Sequence, residues 1–269
     1  MGASALAPVD DAAPAEPAAA SSDLEVVELA AGFGGHAVFR RVGFRVARGE
    51  SVAIIGPNGA GKSTLLRSII RLIEPTEGAV RLVGQEVRML RERELRRLRS
   101  RIGFVFQRHN LVARLSALTN VVHGAQARTD GPRTWLQSLA PPALRDEAMD
   151  CLSRVGLAHV AGRRADRLSG GQSQRVAIAR MLMQRPQLVL ADEPVASLDP
   201  SAGEEVMSLF AGLMRTSGLT VVFTTHNLHH ARAYADRIIG LAGGSLAFDL
   251  PAGAAGEGQL ARLFGARDG

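Results

Sequence analysis

Apolar residues along the chain recur with two different periods. Short apolar runs at 26–29, 39–46, 51–55, 80–83, 102–106, 188–191 and 220–225 are bounded by polar, Gly or Pro residues and predict strands. Segments of helical period lie between them, at 63–73, 92–99 and 200–216, the first closed by Glu74-Pro75. From 108 to about 180 the pattern reads as helical, broken over 129–142 by turn formers. Strands that alternate with helices predict a parallel α/β sheet. The 108–180 stretch is long enough for an inserted helical lobe. No internal repeat is visible, so the pattern describes one such domain.

The same pattern sets the expected boundaries. Residues 1–23 are rich in Ala, Pro, Ser and acid; they lack the cationic start and long apolar centre of a secretory signal and are expected to form a disordered extension. Residues 24–246 are expected to hold the folded domain, and 247–269 a short tail without a domain of its own. No apolar run approaches the ~18 residues needed to span a bilayer.

Charge changes this picture little. The formal net charge is +6, but the cations are almost all arginine, and runs such as 91–101 alternate Arg with Glu and Leu, as a solvated amphipathic helix does. A nucleic-acid partner is therefore not expected. The single cysteine, Cys151, excludes an internal disulfide and reads as a small packing residue on a helix. One fact of composition is sharper: Lys62 is the only lysine in the chain. Arginine serves wherever else a cation stands. A site that needs a compact ammonium on a flexible stem, in place of a broad planar fork, would require this exception.

Lys62 lies inside Gly56-Pro57-Asn58-Gly59-Ala60-Gly61-Lys62-Ser63, between a predicted strand and a predicted helix. This is the pattern of a phosphate-binding loop. Its glycines let successive amides curl inward, and with the helix N-terminus they hold phosphate oxygens. Lys62 would reach the β- and γ-phosphates of a nucleotide, Ser63 would ligate Mg²⁺, and Thr64 would assist at the α-phosphate. Downstream, the apolar run 188–191 ends in Asp192-Glu193. Asp192 would hold the Mg²⁺ shell and Glu193 would orient and deprotonate an attacking water. A further Ser-Gly-Gly before a helix, within Leu168-Ser169-Gly170-Gly171-Gln172, makes a second anion site without a lysine.

Together these segments resemble the ABC family of ATPases, with Leu168 to Gln172 as its signature motif. The resemblance covers about 24–245. It implies a P-loop NTPase (RecA-like) core with an antiparallel β subdomain and an inserted helical subdomain. It also implies a head-to-tail dimer of two copies, in which each signature (Ser169, Gly170, Gly171, Gln172) closes on the partner's ATP. Gln107 resembles the glutamine that senses the γ-phosphate and Mg²⁺, and Ser197-Leu198-Asp199 the D-loop. His226 resembles the switch histidine that contacts the γ-phosphate. Phe33 stands where the family has an adenine-stacking aromatic, commonly Tyr.

The segments 191–200 and 234–241, Ile102 to Gln107 with Asn110-Leu111-Val112, and an insert carrying Thr134-Trp135 are similar to the ATPases of phosphonate importers. Two departures stand out: Ser173 replaces the usual Gln or Lys, and Thr224-Thr225-His226 replaces Asn-Leu-His. What the resemblance implies is a peripheral subunit on the cytoplasmic face of the inner membrane. It would dock on integral permease subunits, with a solute-binding protein as an indirect partner. Importers of methionine, other amino acids or phosphate, and the non-transport component of a carbon–phosphorus lyase, are the rival readings.

Overall fold

The computed structural model describes residues 22–107, 109–129 and 138–256, together with residues 258 and 263. Thr134-Trp135 lies outside them. Two sheets organise the chain. β1 (Ser22–Phe33) and β2 (His36–Ala47) form a long hairpin, joined by β4 (Glu77–Leu82) and β5 (Gln85–Glu86) into an antiparallel sheet of order β2-β1-β4-β5. β3 (Ser51–Ile55), β6 (Ile102–Val105), β7 (Leu188–Asp192), β8 (Thr220–Thr225), β9 (Arg237–Ala242) and β10 (Ser245–Pro251) form the second sheet, ordered β10-β9-β3-β8-β7-β6. It is parallel except where β10 runs antiparallel to β9.

The central strands are mainly apolar because both of their faces are covered. In β3, Val52 and Ile54 enter one core cluster, while Ala53 and Ile55 enter another. β7 and β8 divide in the same way, with Leu190 and Val222 on one face and Val189, Ala191, Val221 and Phe223 on the other. The first cluster joins the antiparallel sheet to α1 (Lys62–Ile69) and α2 (Glu92–Arg99). The second carries α3 (Ala117–Val122), α4 (Pro142–Arg154), α5 (Gly170–Met183) and α6 (Pro200–Thr216).

Four expectations needed correction. The extension expected to be disordered over 1–23 overlaps β1, which begins at Ser22 and pairs there with Ala47; its residues 1–21 lie outside the described ones. The helix expected over 63–73 ends at Ile69, because Arg71 takes a left-handed φ of 56° and turns the chain back. Its guanidinium is then placed to donate to the carbonyls of Val87 and Leu90. In the stretch expected to be helical from 108, the described residues from His109 on form no helix before Ala117. Buried Asn120 organises a turn there, its side chain accepting from the Val112 amide at 2.8 Å and donating to the carbonyls of Val112 and Ser116. Finally, the boundary drawn at 246 falls inside β10, whose Leu246 to Pro251 pair with β9.

Cys151 lies on α4 and packs in the second cluster. Burial is the main cause pushing its thiol up to about 11, so reactive thiolate is scarce at neutral pH. Iodoacetamide at pH 8 should leave the native chain unmodified over a time that alkylates the urea-unfolded chain completely, read by mass spectrometry. Rapid native labelling would contradict the packing described. Among the described residues no helix is long and apolar enough to cross a membrane.

Candidate functional site

The carboxyl ends of four adjacent parallel strands, in the order β3-β8-β7-β6, define one place on the molecule. In an open α/β sheet this edge is where ligands bind. The sequence runs off β3 into the loop 56–61, off β6 towards Gln107, off β7 into Asp192-Glu193 and off β8 into His226. Four segments distant in sequence are thus brought together by strand order. They border a cavity of about 820 Å³, lined by residues that include Gly56, Lys62, Ser63, Thr64, Gln107, Glu193 and His226.

The loop's shape depends on absent side chains. A Cβ on Gly56 would stand 2.1 Å from the Leu241 carbonyl oxygen. Gly61 has φ 98° and caps the start of α1. A left-handed residue there turns the chain so that the first amides of α1 open towards the cavity, where they attract an anion. Lys62 is 5% exposed. Its Nζ donates to the carbonyls of Gly56 at 2.9 Å and Pro57 at 3.3 Å and lies 3.6 Å from Glu193 Oε1. The ammonium is therefore folded over the loop that it would share with phosphate oxygens.

Asp192 is fully buried. It accepts from the Ser63 hydroxyl at 2.7 Å and the Thr224 hydroxyl at 3.1 Å, and Arg67 approaches at 3.4 Å. An isolated buried carboxylate is costly, and these donors offset that cost. Ser63 lines the cavity, and Asp192 is buried behind it, outside that lining and bonded to its hydroxyl; two hard oxygens so placed suit Mg²⁺ held by few protein ligands and several phosphate or water oxygens. No cluster of three or more His, Cys, Asp or Glu fit for a metal occurs among the described residues.

Glu193 is the centre of the site. Its amide donates to Thr224 Oγ1 at 2.9 Å, and its φ of 46° places it in the left-handed region that a side chain ordinarily avoids. Strain of this kind persists only where the surroundings fix it. Here it turns the carboxylate off the strand axis and towards Lys62. The other oxygen, Oε2, lies 3.4 Å from Gln107 Nε2 and 3.9 Å from His226 Nδ1. A carboxylate held among an amide, an imidazole and an ammonium is equipped to orient water beside a bound anion.

Other expected residues lie elsewhere. Ser169 caps α5 and forms a capping box with Gln172, whose amide donates to Ser169 Oγ at 3.2 Å. Gly170 lies against Leu198, where a Cβ would come within 3.1 Å. Asp199 caps α6 through the Ala202 amide at 2.9 Å. None of Ser169, Gly170, Gly171, Gln172 and Asp199 lines the 820 Å³ cavity. Phe33 is 58% exposed at the hairpin tip and is not among the residues lining the cavity, whereas Val38 on β2 is. Sequence reasoning missed Val38, Arg67 and Thr224. Only Thr224 carried a signal, as a polar residue directly after the apolar run Val221 to Phe223 of β8.

Comparison with known proteins gives a consistent outcome. A family model described as "ABC transporter" matches residues 39–196. Among curated relatives, a phosphonates import ATP-binding protein of Oceanobacillus iheyensis is 42% identical, covering 90% of this chain and 95% of that protein. A phosphonates import ATP-binding protein of Rhodopseudomonas palustris is 46% identical, covering 84% and 83%. Among solved structures, a dimeric post-hydrolysis state of the ATP-binding cassette MJ0796 with ADP and phosphate superposes with a TM-score of 0.75 at 35% identity, covering 85% of this chain and 98% of that one. The cbiO1 protein of Clostridium perfringens, described as part of an ABC transporter complex, gives 0.77 at 27% identity, over 92% and 96%.

Proposed function

Because the chain belongs to the ABC transporter family, we propose that it is the ATP-binding and ATP-hydrolysing subunit of an importer energising uptake of phosphonate or a related phosphorus oxyanion. The observation that carries the ATPase reading is the convergence on Glu193 of Lys62, Gln107 and His226 from three other strand ends. The solute rests on kinship, since several curated relatives at 42–47% identity are named as phosphonate import ATP-binding proteins. This chain's own site recognises phosphate, not the solute.

Phosphoryl transfer asks a protein mainly for positioning and charge stabilisation. The amides of 56–64 would hold the phosphate chain, and Lys62 would turn from its loop carbonyls to the β- and γ-phosphate oxygens. Ser63 and Asp192 would hold Mg²⁺, which when bound neutralises charge on the β- and γ-phosphates. Gln107 and Glu193 would align the attacking water, Glu193 would take its proton, and His226 would steady the γ-phosphate. Phe33, exposed at the hairpin tip, would stack on the adenine.

Ser169, Gly170, Gly171, Gln172 and Asp199 complete the chemistry only in a second copy. Ser169 to Gln172 open α5 and Asp199 opens α6 without lining the cavity at the loop 56–61, and a head-to-tail pair would bring each to the other's nucleotide. Closure of that pair on ATP would be passed to permease subunits, which would hold this chain at the cytoplasmic face of the inner membrane. A solute-binding protein would complete the importer.

Purified alone, the chain should hydrolyse ATP at a basal rate indifferent to added phosphonate. Stimulation should require the permease and a loaded binding protein, because solute shifts the motor only through a partner that binds it differentially. A deletion strain lacking redundant systems should fail to grow on phosphonate as sole phosphorus source. Unimpaired uptake would sink the solute assignment and leave the ATPase standing.

A further inference from the structure

Two helices leave the site from neighbouring loops. α6 begins at its cap Asp199, and α7 (Leu228–Tyr234) begins directly after His226, with Asn227 as its cap. Between them lies a second cavity of about 310 Å³. Glu193, Asp199 and His226 border it, and so do Glu204 of α6 and His230 of α7. The space separates the two loops, while farther along the helices Ala231 of α7 shares a buried apolar cluster with Met207 and Phe210 of α6. Across the two helices, Glu204 of α6 meets side chains of α7 in hydrogen bonds.

His230 Nε2 lies 3.0 Å from Glu204 Oε2, and the Tyr234 hydroxyl donates to Oε1. A carboxylate accepts only, so the ring carries its proton on Nε2. His229 Nε2 stands farther off, 4.0 Å from Oε1. His230 is 6% exposed, and its Nδ1 is buried without a hydrogen-bond partner among the described residues. A ring that leaves one nitrogen unsatisfied forgoes stability there, which is consistent with its being held for what Nε2 does. The Tyr234 hydroxyl, followed by His230, holds the Glu204 carboxyl below its ordinary range.

We propose that Glu204 and His230 are positioning residues for ATP hydrolysis, fixing α7 against α6 and thereby setting where His226 stands relative to Glu193 and Asp199. Neither touches substrate; each acts through the loop at the start of its helix. The proposal rests on the ATPase reading above. Its rival is a purely structural tie that holds α7 to the domain without bearing on turnover.

Steady-state ATPase assays on the full chain, with thermal melting alongside, separate the two. His230→Gln keeps a donor where Nε2 stands and should stay within about twofold of wild-type kcat. His230→Leu and Glu204→Ala should lower kcat about tenfold, as small misplacements of reacting groups do, with the KM for ATP within about twofold of wild type. The double variant should be no worse than either single one, since both remove the same link. Tyr234→Phe, the gentlest change, should fall between wild type and Glu204→Ala.

Leucine and glutamine variants with equal kcat would overturn the proposal, because packing and not the hydrogen bond would then be at work. So would variants that melt lower yet retain wild-type kcat, or that lose ATP affinity and turnover together. A wild-type chain without ATPase activity would overturn the underlying reading and this inference with it. Wild-type activity with insensitive variants would overturn this inference alone.

Discussion

Glu193→Gln is expected to bind ATP but to hydrolyse it ~10²–10⁴-fold more slowly, the range for loss of a general base. The substitution is nearly isosteric, so it should preserve the left-handed turn at φ 46° and the amide bond to Thr224. What it removes is the negative charge that would accept the proton of water. It also removes the carboxylate 3.6 Å from Lys62, a competitor of phosphate for that ammonium. ATP should therefore bind at least as tightly as to the wild type, and the head-to-tail pair should accumulate because nothing reopens it. Light scattering with ATP should report a dimer, and single-turnover assays should report the slowed step. Turnover near the wild-type rate would take Glu193 out of the reaction. A variant that stays monomeric with ATP would contradict the composite site.

Much of this site was legible in the sequence because its residues are tied to short motifs with fixed local geometry. The glycines of 56–61, the single lysine and the acidic pair at the end of an apolar run each imply a conformation that the structure contains. The continuous apolar runs at 51–55, 188–191 and 220–225 likewise announced strands covered on both faces. β9 and β10 escaped notice because Gly240, Gly243 and Gly244 interrupt their apolar pattern, and pairing with β3 defines β9 more than its own composition does. The turn before α3 was read as helix because no local signal shows that Asn120 will spend its amide on the carbonyls of Val112 and Ser116. Arg67 and Val38 were missed for a related reason. Each acquires meaning from what the topology places opposite it, Asp192 in one case and Gly61 in the other. The tie between Glu204 and His230 spans two helices and has no motif at all.

Lys62→Arg should keep the charge and lose the function. Lys62 is 5% exposed, and its Nζ fits between the carbonyls of Gly56 and Pro57 with Glu193 close behind. A guanidinium is planar and broad, and its nitrogens sit in a fixed fork. The tight fold of the loop, where even a Cβ on Gly56 would strike the Leu241 carbonyl, leaves little room to widen. The fork must then either stand away from the phosphates or push the loop open and misalign the amides. A charged hydrogen bond is worth about 1.5–3 kcal/mol, so its loss should weaken ATP binding about 10- to 150-fold. Calorimetry with a non-hydrolysable ATP analogue measures this directly, and an unchanged melting temperature would show that the fold is intact. The comparison is informative because the chain uses arginine for every other permanent cation. Wild-type affinity in Lys62→Arg would make the lone lysine an accident of composition, whereas the expected loss would tie it to the one place where a point charge must thread a closed loop.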